Sequence, residues 1–306
     1  MKPRALSTFC CSITPFAADG SLDEPALRAH FRRLAAAGVG VYVAGSSPGE
    51  GYALSRPEAR RSLEIAAEEL AGRVPVRAMG VEPHRAHDMV EHVQLAAECG
   101  VDAVQIYSLD MGHGGRPSAP ALERYFRSAL EASRLPCVVS SHHFIGYTLE
   151  PELMRALADD YEHLIGFNVT SPDIPYHVRV LDVLEGRVEL HVGGPMHALT
   201  ALALGANGFL STEANYAPCL CQSLIDHYRA ARYADAEVAY ARIMQLMTGT
   251  GDVPGMSVRY VKAALAALGH GDAHVREPHL PLGTEELARV AKRMAALGIP
   301  ESEGAA

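Results

Sequence analysis

Eight short runs rich in apolar and β-branched residues alternate with stretches of helical pattern along this 306-residue chain. Alternating strands and helices are typical of βα units, whose strands form a parallel sheet. The eight runs are residues 9–14, 39–44, 74–79, 101–107, 136–140, 164–169, 188–192 and 208–212. Eight such units close a (β/α)8 barrel. The pattern therefore predicts an α/β protein of the TIM-barrel class.

Helix start and stop signals fall between these runs. Ser55 precedes a helical stretch with Glu58 three residues later, which is the pattern of a capping box. Gly38, Gly72 and Gly100 each follow a helical stretch and precede a strand, as expected of glycines that end helices. These signals predict short, regular βα connections.

The segment after the eighth run has a helical pattern in residues 217–247, 257–268 and 284–297. It predicts a C-terminal helical extension that starts at about residue 217. No Pro/Gly-rich linker interrupts the chain, so we expect a single domain over residues 1–300 and a flexible tail over 301–306.

Charge and composition exclude several classes of partner. The chain has 27 basic and 36 acidic residues, a net charge of −9, and no basic run that would neutralise a phosphate backbone or an anionic membrane. No apolar stretch is long enough to span a bilayer and the N-terminus lacks a signal-peptide pattern, so we expect a cytoplasmic protein. Six cysteines lie mostly in apolar segments, where we expect free thiols rather than disulfides.

The loop after the second run contains a recognisable motif. It reads Val-Ala-Gly-Ser-Ser-Pro-Gly-Glu-Gly over residues 43–51, followed by Leu54-Ser55 and Glu58. Further matching segments are residues 100–102, 135–136, 165–167, 203–208, 215–218, 257–268, 276–278 and 281–282. Together they resemble the dihydrodipicolinate synthase and N-acetylneuraminate lyase family, whose members are class I aldolase-like barrels.

The resemblance implies a substrate class. In the family, the hydroxyls and backbone N–H groups of this loop hold the carboxylate of an α-keto acid. Ser46, Ser47, Gly49 and Glu50 are the corresponding substrate-binding candidates here, whereas Pro48 is one extra residue and removes an N–H. We therefore expect a small carboxylate or keto acid as the substrate.

The residues that carry the family's chemistry are replaced. Family members have a lysine at the end of the sixth strand that forms a Schiff base with the keto substrate, and Asn168 stands at this position. An amide cannot form an imine. The whole chain has only three lysines, and Lys262 and Lys292 lie in C-terminal helical patterns. The alignment thus predicts a divergent member that does not form an imine.

The proton relay of the family is altered as well. Its tyrosine in the fifth strand aligns with Ser140, and no arginine occurs between Arg134 and Arg155. The scaffold is therefore expected to persist with a different set of catalytic side chains.

Polar side chains at the C-terminal ends of the strands supply candidates for that set, because barrel enzymes build their sites there. The catalytic candidates are His142, His143, Asn168, Tyr107 and Ser140. Asp110, Thr170, Gly193 and Glu213 join the loop after the second run as substrate-binding candidates. A neutral imidazole of His142 or His143 would act as a general base, and Asn168 would donate a hydrogen bond to a developing oxyanion. A solvated His-His pair without a catalytic role is an equal alternative.

The predicted activity is that of a lyase of aldolase, hydratase/dehydratase or decarboxylase type that uses acid–base chemistry without a cofactor. A metal-dependent lyase is a weaker alternative, with ligands among His142, His143, His113, Asp110, Glu50 and Glu213; their spacing matches no known metal motif. The alternative from another class is an inactive ligand-binding or structural homologue. The family resemblance also predicts a homo-oligomer, either a dimer or a tetramer.

Overall fold

The computed structural model describes residues 4–303 and confirms the TIM-barrel fold. Eight parallel strands form a closed barrel in the order in which they occur in the chain. The strands are β1 (Ser7–Cys11), β2 (Gly40–Val43), β3 (Val76–Ala78), β4 (Ala103–Ile106), β5 (Cys137–His142), β6 (Leu164–Thr170), β7 (Glu189–Gly193) and β8 (Gly208–Ser211).

A helix follows each strand, and four more complete the chain. The helices are α1 (Glu24–Ala36), α2 (Arg56–Leu70), α3 (Ala86–Glu98), α4 (Ala119–Ala132), α5 (Pro151–Asp160), α6 (Ile174–Leu184), α7 (Ala198–Leu204), α8 (Pro218–Arg229), α9 (Tyr233–Leu246), α10 (Val258–Ala267), α11 (Thr284–Ala296) and α12 (Ile299–Glu303). None of the described helices has the length and apolarity needed to cross a membrane.

The predicted helix signals are present in the structure. Ser55 caps α2 in a full capping box with Glu58. Gly38, Gly72 and Gly100 have φ values of 75°, 72° and 78°, in the left-handed region that favours glycine at a helix end. Local sequence therefore defines where these connections turn.

The C-terminal segment differs from its sequence-based description in two places. The helical stretch 217–247 is divided into α8 and α9 at Ala231, whose φ of 56° is incompatible with a continuous helix. Residues 301–303, predicted to be part of a flexible tail, are helical, and the carboxylate of Glu303 accepts the backbone N–H groups of Cys219 (2.9 Å) and Leu220 (3.1 Å) at the start of α8. The predicted tail residues 304–306 lie outside the described residues.

The chain divides into two compact units. The central unit comprises Arg77–Leu210 with the residues up to Ala5, and the terminal unit comprises Leu6–Val76 with the residues from Ser211 onward. The expectation of a single domain over residues 1–300 stays a prediction. All six cysteines are free thiols, as expected from their apolar surroundings.

Strand register sets which side chains of the central unit share a face. Ser140 of β5 pairs with Asn168 of β6, and Asn168 pairs with His191 of β7. Two residues further along the same strands, His142 pairs with Thr170. Residues paired in this way project to the same side of a sheet, so these side chains form successive layers.

Candidate functional site

Asn168 lies in the interior of the barrel. Its side chain is 2% exposed, and its Nδ2 donates a hydrogen bond of 2.5 Å to Oε1 of Gln105 on β4. Because β5 separates β4 from β6, the two side chains meet only on the concave side of the sheet. Gln105 is fully buried, and its Nε2 has no hydrogen-bond partner among residues 4–303. A buried amide with unused N–H groups is costly unless a water or ligand accepts from it.

A charged pair on β3 and β7 lies one layer nearer the N-terminal ends of the barrel strands. Arg77 of β3 is buried and donates a hydrogen bond of 2.9 Å to Glu189 of β7. His191 lies beside this pair, with its Nδ1 4.0 Å from Glu189, and burial next to Arg77 lowers its pKa to about 3. His191 is therefore neutral near pH 7 and acts as a polar, uncharged neighbour of the Asn168 layer.

His142 lies at the C-terminal end of β5, one layer above Ser140. Its side chain is buried, and its Nε2 lies 3.5 Å from Oε1 of Glu82 in the loop after β3. This contact is an electrostatic one, since Nε2 makes no hydrogen bond within the described chain. The ring of Tyr107 packs edge-on against His142, with 5.5 Å between ring centroids.

Two opposing effects set the protonation of His142. Burial is the larger effect and lowers its pKa, whereas the Glu82 carboxylate raises it; His143 lowers the pKa and Asp110 raises it by smaller amounts. The net pKa lies below the ordinary histidine value. His142 is therefore mostly neutral at pH 7, the state that a general base requires.

His143 is half-buried in the loop after β5, and its Nδ1 lies 3.1 Å from the carbonyl oxygen of Thr170. Its ring packs against Phe144, a side chain that is 76% exposed.

Gly193 ends β7 beside Thr170 of β6. A Cβ atom at Gly193 would come within 1.7 Å of Thr170 Oγ1. The absence of a side chain at Gly193 thus makes room for Thr170 at the ends of β6 and β7.

Asp110 supports the loop after β4. Its Oδ1 accepts the backbone N–H of Gly112 at 2.8 Å, and its carbonyl oxygen lies 2.8 Å from Nδ1 of His84 in the loop after β3. The backbone N–H of Asp110 also donates to the carbonyl of Pro83 at 2.9 Å. These bonds join the loop that carries Glu82 to the loop that follows Tyr107.

Ser140 is 4% exposed and pairs with Asn168 in the register of β5 and β6. Its carbonyl oxygen accepts a hydrogen bond of 2.8 Å from Ser108 Oγ. The central unit thus brings together Tyr107, Ser140, His142 and Asn168, four of the five catalytic candidates, on adjacent strands.

The substrate-loop candidates lie in the terminal unit, directly after β2. Ser46 is half-buried and Ser47 is exposed. The backbone at Gly49 is tightly packed: a Cβ there would lie 2.6 Å from the carbonyl oxygen of Gly45, and Thr14 Oγ1 donates to the carbonyl of Gly49 at 2.7 Å. The two serines therefore project from a closely supported backbone.

Glu50 is fully buried and its carboxylate is occupied. Lys262 of α10 pairs with Oε2, and the backbone N–H of Arg276 donates to Oε1 at 3.0 Å. The sequence interpretation of Glu50 as a direct substrate ligand did not include these partners. In the structure both of its carboxylate oxygens bind groups of the protein itself.

Glu213, a further substrate-binding candidate, is fully buried after β8. Ser211 Oγ donates to its Oε2 at 2.9 Å, and Ser211 Oγ also lies 3.6 Å from Sγ of Cys221 on α8. Burial raises the pKa of Glu213.

The neighbouring Asn215 binds backbone groups. It accepts from the N–H of Ile13 (2.9 Å) and donates to the carbonyl of Cys11 (2.8 Å). Within the terminal unit, these residues join the segment 211–215 to β1 and α8.

No group of three or more His, Cys, Asp or Glu side chains within the described ranges is placed to hold a metal ion. The candidate ligands that sequence alone suggested are distributed over separate loops. In particular, the carboxylate of Glu50 pairs with Lys262.

The model of the dihydrodipicolinate synthetase family matches residues 5–297. The chain belongs to this family. It is 30% identical over 275 residues to the 4-hydroxy-tetrahydrodipicolinate synthase of Methanopyrus kandleri, a match that covers 87% of both chains. It is 31% identical over 268 residues to the enzyme of the same name from Agrobacterium fabrum, covering 87% of this chain and 89% of that one.

Solved structures of the dihydrodipicolinate synthetase family have the same fold. YagE, a prophage protein of the family from E. coli K12 whose structure is a complex with pyruvate, matches with a TM-score of 0.86 and 25% identity over 96% of this chain and 99% of that one. A monomeric dihydrodipicolinate synthase variant matches with a TM-score of 0.86 at 19% identity, over 96% of this chain and 97% of that one, and this likeness shows the fold alone.

Sequence reasoning missed Gln105 as a candidate site residue. The run 101–107 is apolar except for Asp102, Gln105 and Tyr107, and a lone amide inside a buried strand was the available signal. Period-two alternation also places Gln105 on the same face as Tyr107. The contact of Glu82 with His142 had no such signal, because it depends on how two loops approach each other in space.

Proposed function

We propose that the protein is a lyase of aldolase, hydratase/dehydratase or decarboxylase type that acts on a small keto acid or carboxylate without forming an imine. The observation that carries the proposal is the buried Asn168–Gln105 amide pair in the barrel interior, at the strand position where the family resemblance places the Schiff-base lysine. An amide nitrogen is not nucleophilic enough to attack a ketone.

The remaining lysines support a reaction without an imine. Lys262 is fully buried and paired with Glu50, and Lys292 is exposed on α11. Lys2 lies outside the described residues. Neither of the described amines lies at the end of a barrel strand, where barrel enzymes hold their catalytic groups.

The amide pair replaces covalent activation by hydrogen bonding. Nδ2 of Asn168 uses one N–H toward Gln105, and Nε2 of Gln105 has two N–H groups without a partner in the described chain. Such preorganised donors in a water-poor interior stabilise negative charge that develops on a carbonyl oxygen. Loss of one donor of this kind typically costs about 10²- to 10³-fold in rate.

His142 supplies the base. In the cleavage direction, neutral His142 removes the proton of the substrate's hydroxyl group, the carbon–carbon bond breaks as the new carbonyl forms, and the bonding electron pair moves onto the keto group as an enolate. The enolate oxygen accepts from the amide donors until the imidazolium returns its proton to carbon. Glu82 faces the imidazolium and stabilises its charge.

Substrate class follows from the loop after β2. Ser46 and Ser47 are proposed to bind the carboxylate, as the family resemblance implies, and the pyruvate complex of YagE supports a small α-keto acid. A homo-oligomer in the cytoplasm, without a required cofactor, completes the proposal.

The test combines trapping with turnover. Purified protein is treated with pyruvate and sodium borohydride, and intact mass is measured, with a family relative that carries the lysine as positive control. We expect no adduct, together with turnover of at least one member of a panel of hydroxylated keto acids, before and after treatment with a chelator. A stable pyruvate adduct would overturn the reaction without an imine, and ligand binding without turnover would identify a non-catalytic homologue.

A further inference from the structure

Lys262 is a fully buried charge in the terminal unit that the proposed reaction does not use. It lies on α10, and its Nζ pairs with Glu50 and donates to the carbonyl oxygen of His274 at 2.8 Å. Nζ also lies 4.2 Å from the centre of the Phe16 ring. Burial lowers the pKa of Lys262 to about 8 while Glu50 opposes this shift, so the ammonium form persists at pH 7.

Glu50 connects this charge to the loop of Ser46 and Ser47. Its φ of 51° lies in the left-handed region, where a glutamate stays only if its surroundings hold it. The carboxylate is held on both oxygens, by Lys262 and by the backbone N–H of Arg276. The loop conformation is therefore maintained through the side chain of Glu50.

Arg276 forms a second anchor on the same loop. Its guanidinium donates to Glu58 (3.0 Å) at the start of α2, to the carbonyl of Ala53 (2.8 Å) and to the carbonyl of Gly20 (2.8 Å). It also lies 4.1 Å from the centre of the Phe16 ring. The segment before α11 is thus fastened to the loops after β1 and β2.

Close packing of the backbone at Gly51 also restricts the conformation of the loop. A Cβ at Gly51 would lie 2.4 Å from the carbonyl oxygen of Ala44, and the N–H of Gly51 donates to the carbonyl of Gly45 at 2.9 Å. Residues 45–51 are thus held both by the contacts of Glu50 with Lys262 and Arg276 and by this backbone packing.

We propose that Lys262 and Arg276 are positioning residues that hold the loop of residues 45–51 in its ligand-binding conformation through the side chain of Glu50. The inference rests on the proposed function in that this loop binds the substrate's carboxylate. If α10 needed only to be packed, an apolar side chain would serve, since burying two charges costs more than packing two apolar groups. The charged pair provides a directional bond to one residue of the loop.

The first test measures the loop directly. Amide hydrogen exchange of peptides covering residues 44–54 is compared in the wild type, in Lys262→Met and in the control Lys292→Met, which changes an exposed lysine of α11. We expect at least about tenfold faster exchange in Lys262→Met alone. Unchanged exchange in a folded Lys262→Met protein would overturn the inference.

A double variant distinguishes loss of loop positioning from a general loss of stability. Glu50→Gln with Lys262→Met removes both charges, so that neither is left buried without a partner. We expect its melting temperature to recover relative to Lys262→Met while exchange of the loop stays fast. Recovery of both stability and slow exchange would show that the pair contributes only to packing and would overturn the positioning role.

Pyruvate affinity and turnover separate this inference from the proposed function. In the double variant we expect KM for the keto acid and Kd for pyruvate to rise about tenfold with kcat within about twofold, because the reacting groups of the central unit are unaltered. Equal loss of kcat at unchanged KM would contradict the positioning role. Faster loop exchange with unchanged pyruvate affinity would support positioning and remove the carboxylate-binding role from the proposed function.

Discussion

Two buried polar regions of this protein differ in how completely their groups are paired. In the terminal unit, both carboxylate oxygens of Glu50 and the ammonium of Lys262 have partners. In the central unit, Gln105 Nε2 and His142 Nε2 lack a hydrogen-bond partner among the described residues. A buried charge pair whose groups all have partners holds its two segments in a fixed geometry, whereas buried groups without partners are expected where a ligand or water binds. This difference is the basis for proposing a supporting role for the Glu50–Lys262 pair and a chemical role for Gln105 and His142.

The largest expected effect is the loss of activity on replacing His142 of the central unit. His142→Gln removes the proposed base while keeping a polar side chain, and we expect kcat/KM to fall by about 10²- to 10⁴-fold. The control His87→Gln changes an exposed histidine on α3 and should leave kcat/KM unchanged. Steady-state kinetics on the substrate found in the turnover panel measure both, and equal activities for the two variants would place the base elsewhere.

Removal of one partner from the paired region should cost stability. Lys262→Met leaves the Glu50 carboxylate buried without its ammonium, so we expect a loss of about 3–5 kcal/mol in the free energy of unfolding. Glu50→Gln combined with Lys262→Met should recover much of this loss, since both charges are gone. Urea denaturation of the single and double variants gives these values, and full additivity of the two substitutions would contradict the coupling.

Loss of the amide pair should affect rate and stability together. Gln105→Leu removes the acceptor of Asn168 Nδ2, and we expect about 1–3 kcal/mol of destabilisation with a lower kcat. The matched control is Gln94→Leu on the exposed face of α3. An unchanged kcat in Gln105→Leu would assign the amide pair to packing and would remove the main contrast between the two regions.

The smallest expected effect concerns the pH dependence of the base. Because burial lowers the pKa of His142, its neutral form persists below pH 6.5, and the acidic limb of kcat/KM should have a midpoint below this value. Glu82 raises that pKa, so Glu82→Gln should move the limb to still lower pH. A pH profile of both proteins checks the sign, and a shift toward higher pH would show that Glu82 does not face the titrating group.

Only part of the difference in pairing between the two regions could be predicted from the sequence. Period-two alternation along β5 predicted that Ser140 and His142 face the same side, and in the structure Ser140 pairs with Asn168 and His142 with Thr170. The family resemblance of the loop after β2 placed Glu50 among the substrate-binding candidates. Its partner Lys262 lies 212 positions away in the chain, so no local pattern could reveal the pair.

Sequence by itself determined the (β/α)8 class, the helix ends at Ser55, Gly38, Gly72 and Gly100, and the presence of an asparagine in β6, because these depend on periodicity and on the identity of single residues. Tertiary structure alone decided which polar groups are paired and which are not. The Asn168–Gln105 bond spans 63 residues and the Glu82–His142 contact joins two separate loops. Pairing depends on distances between segments that are far apart in the sequence, and the difference in pairing distinguishes the Glu50–Lys262 pair from Gln105 and His142.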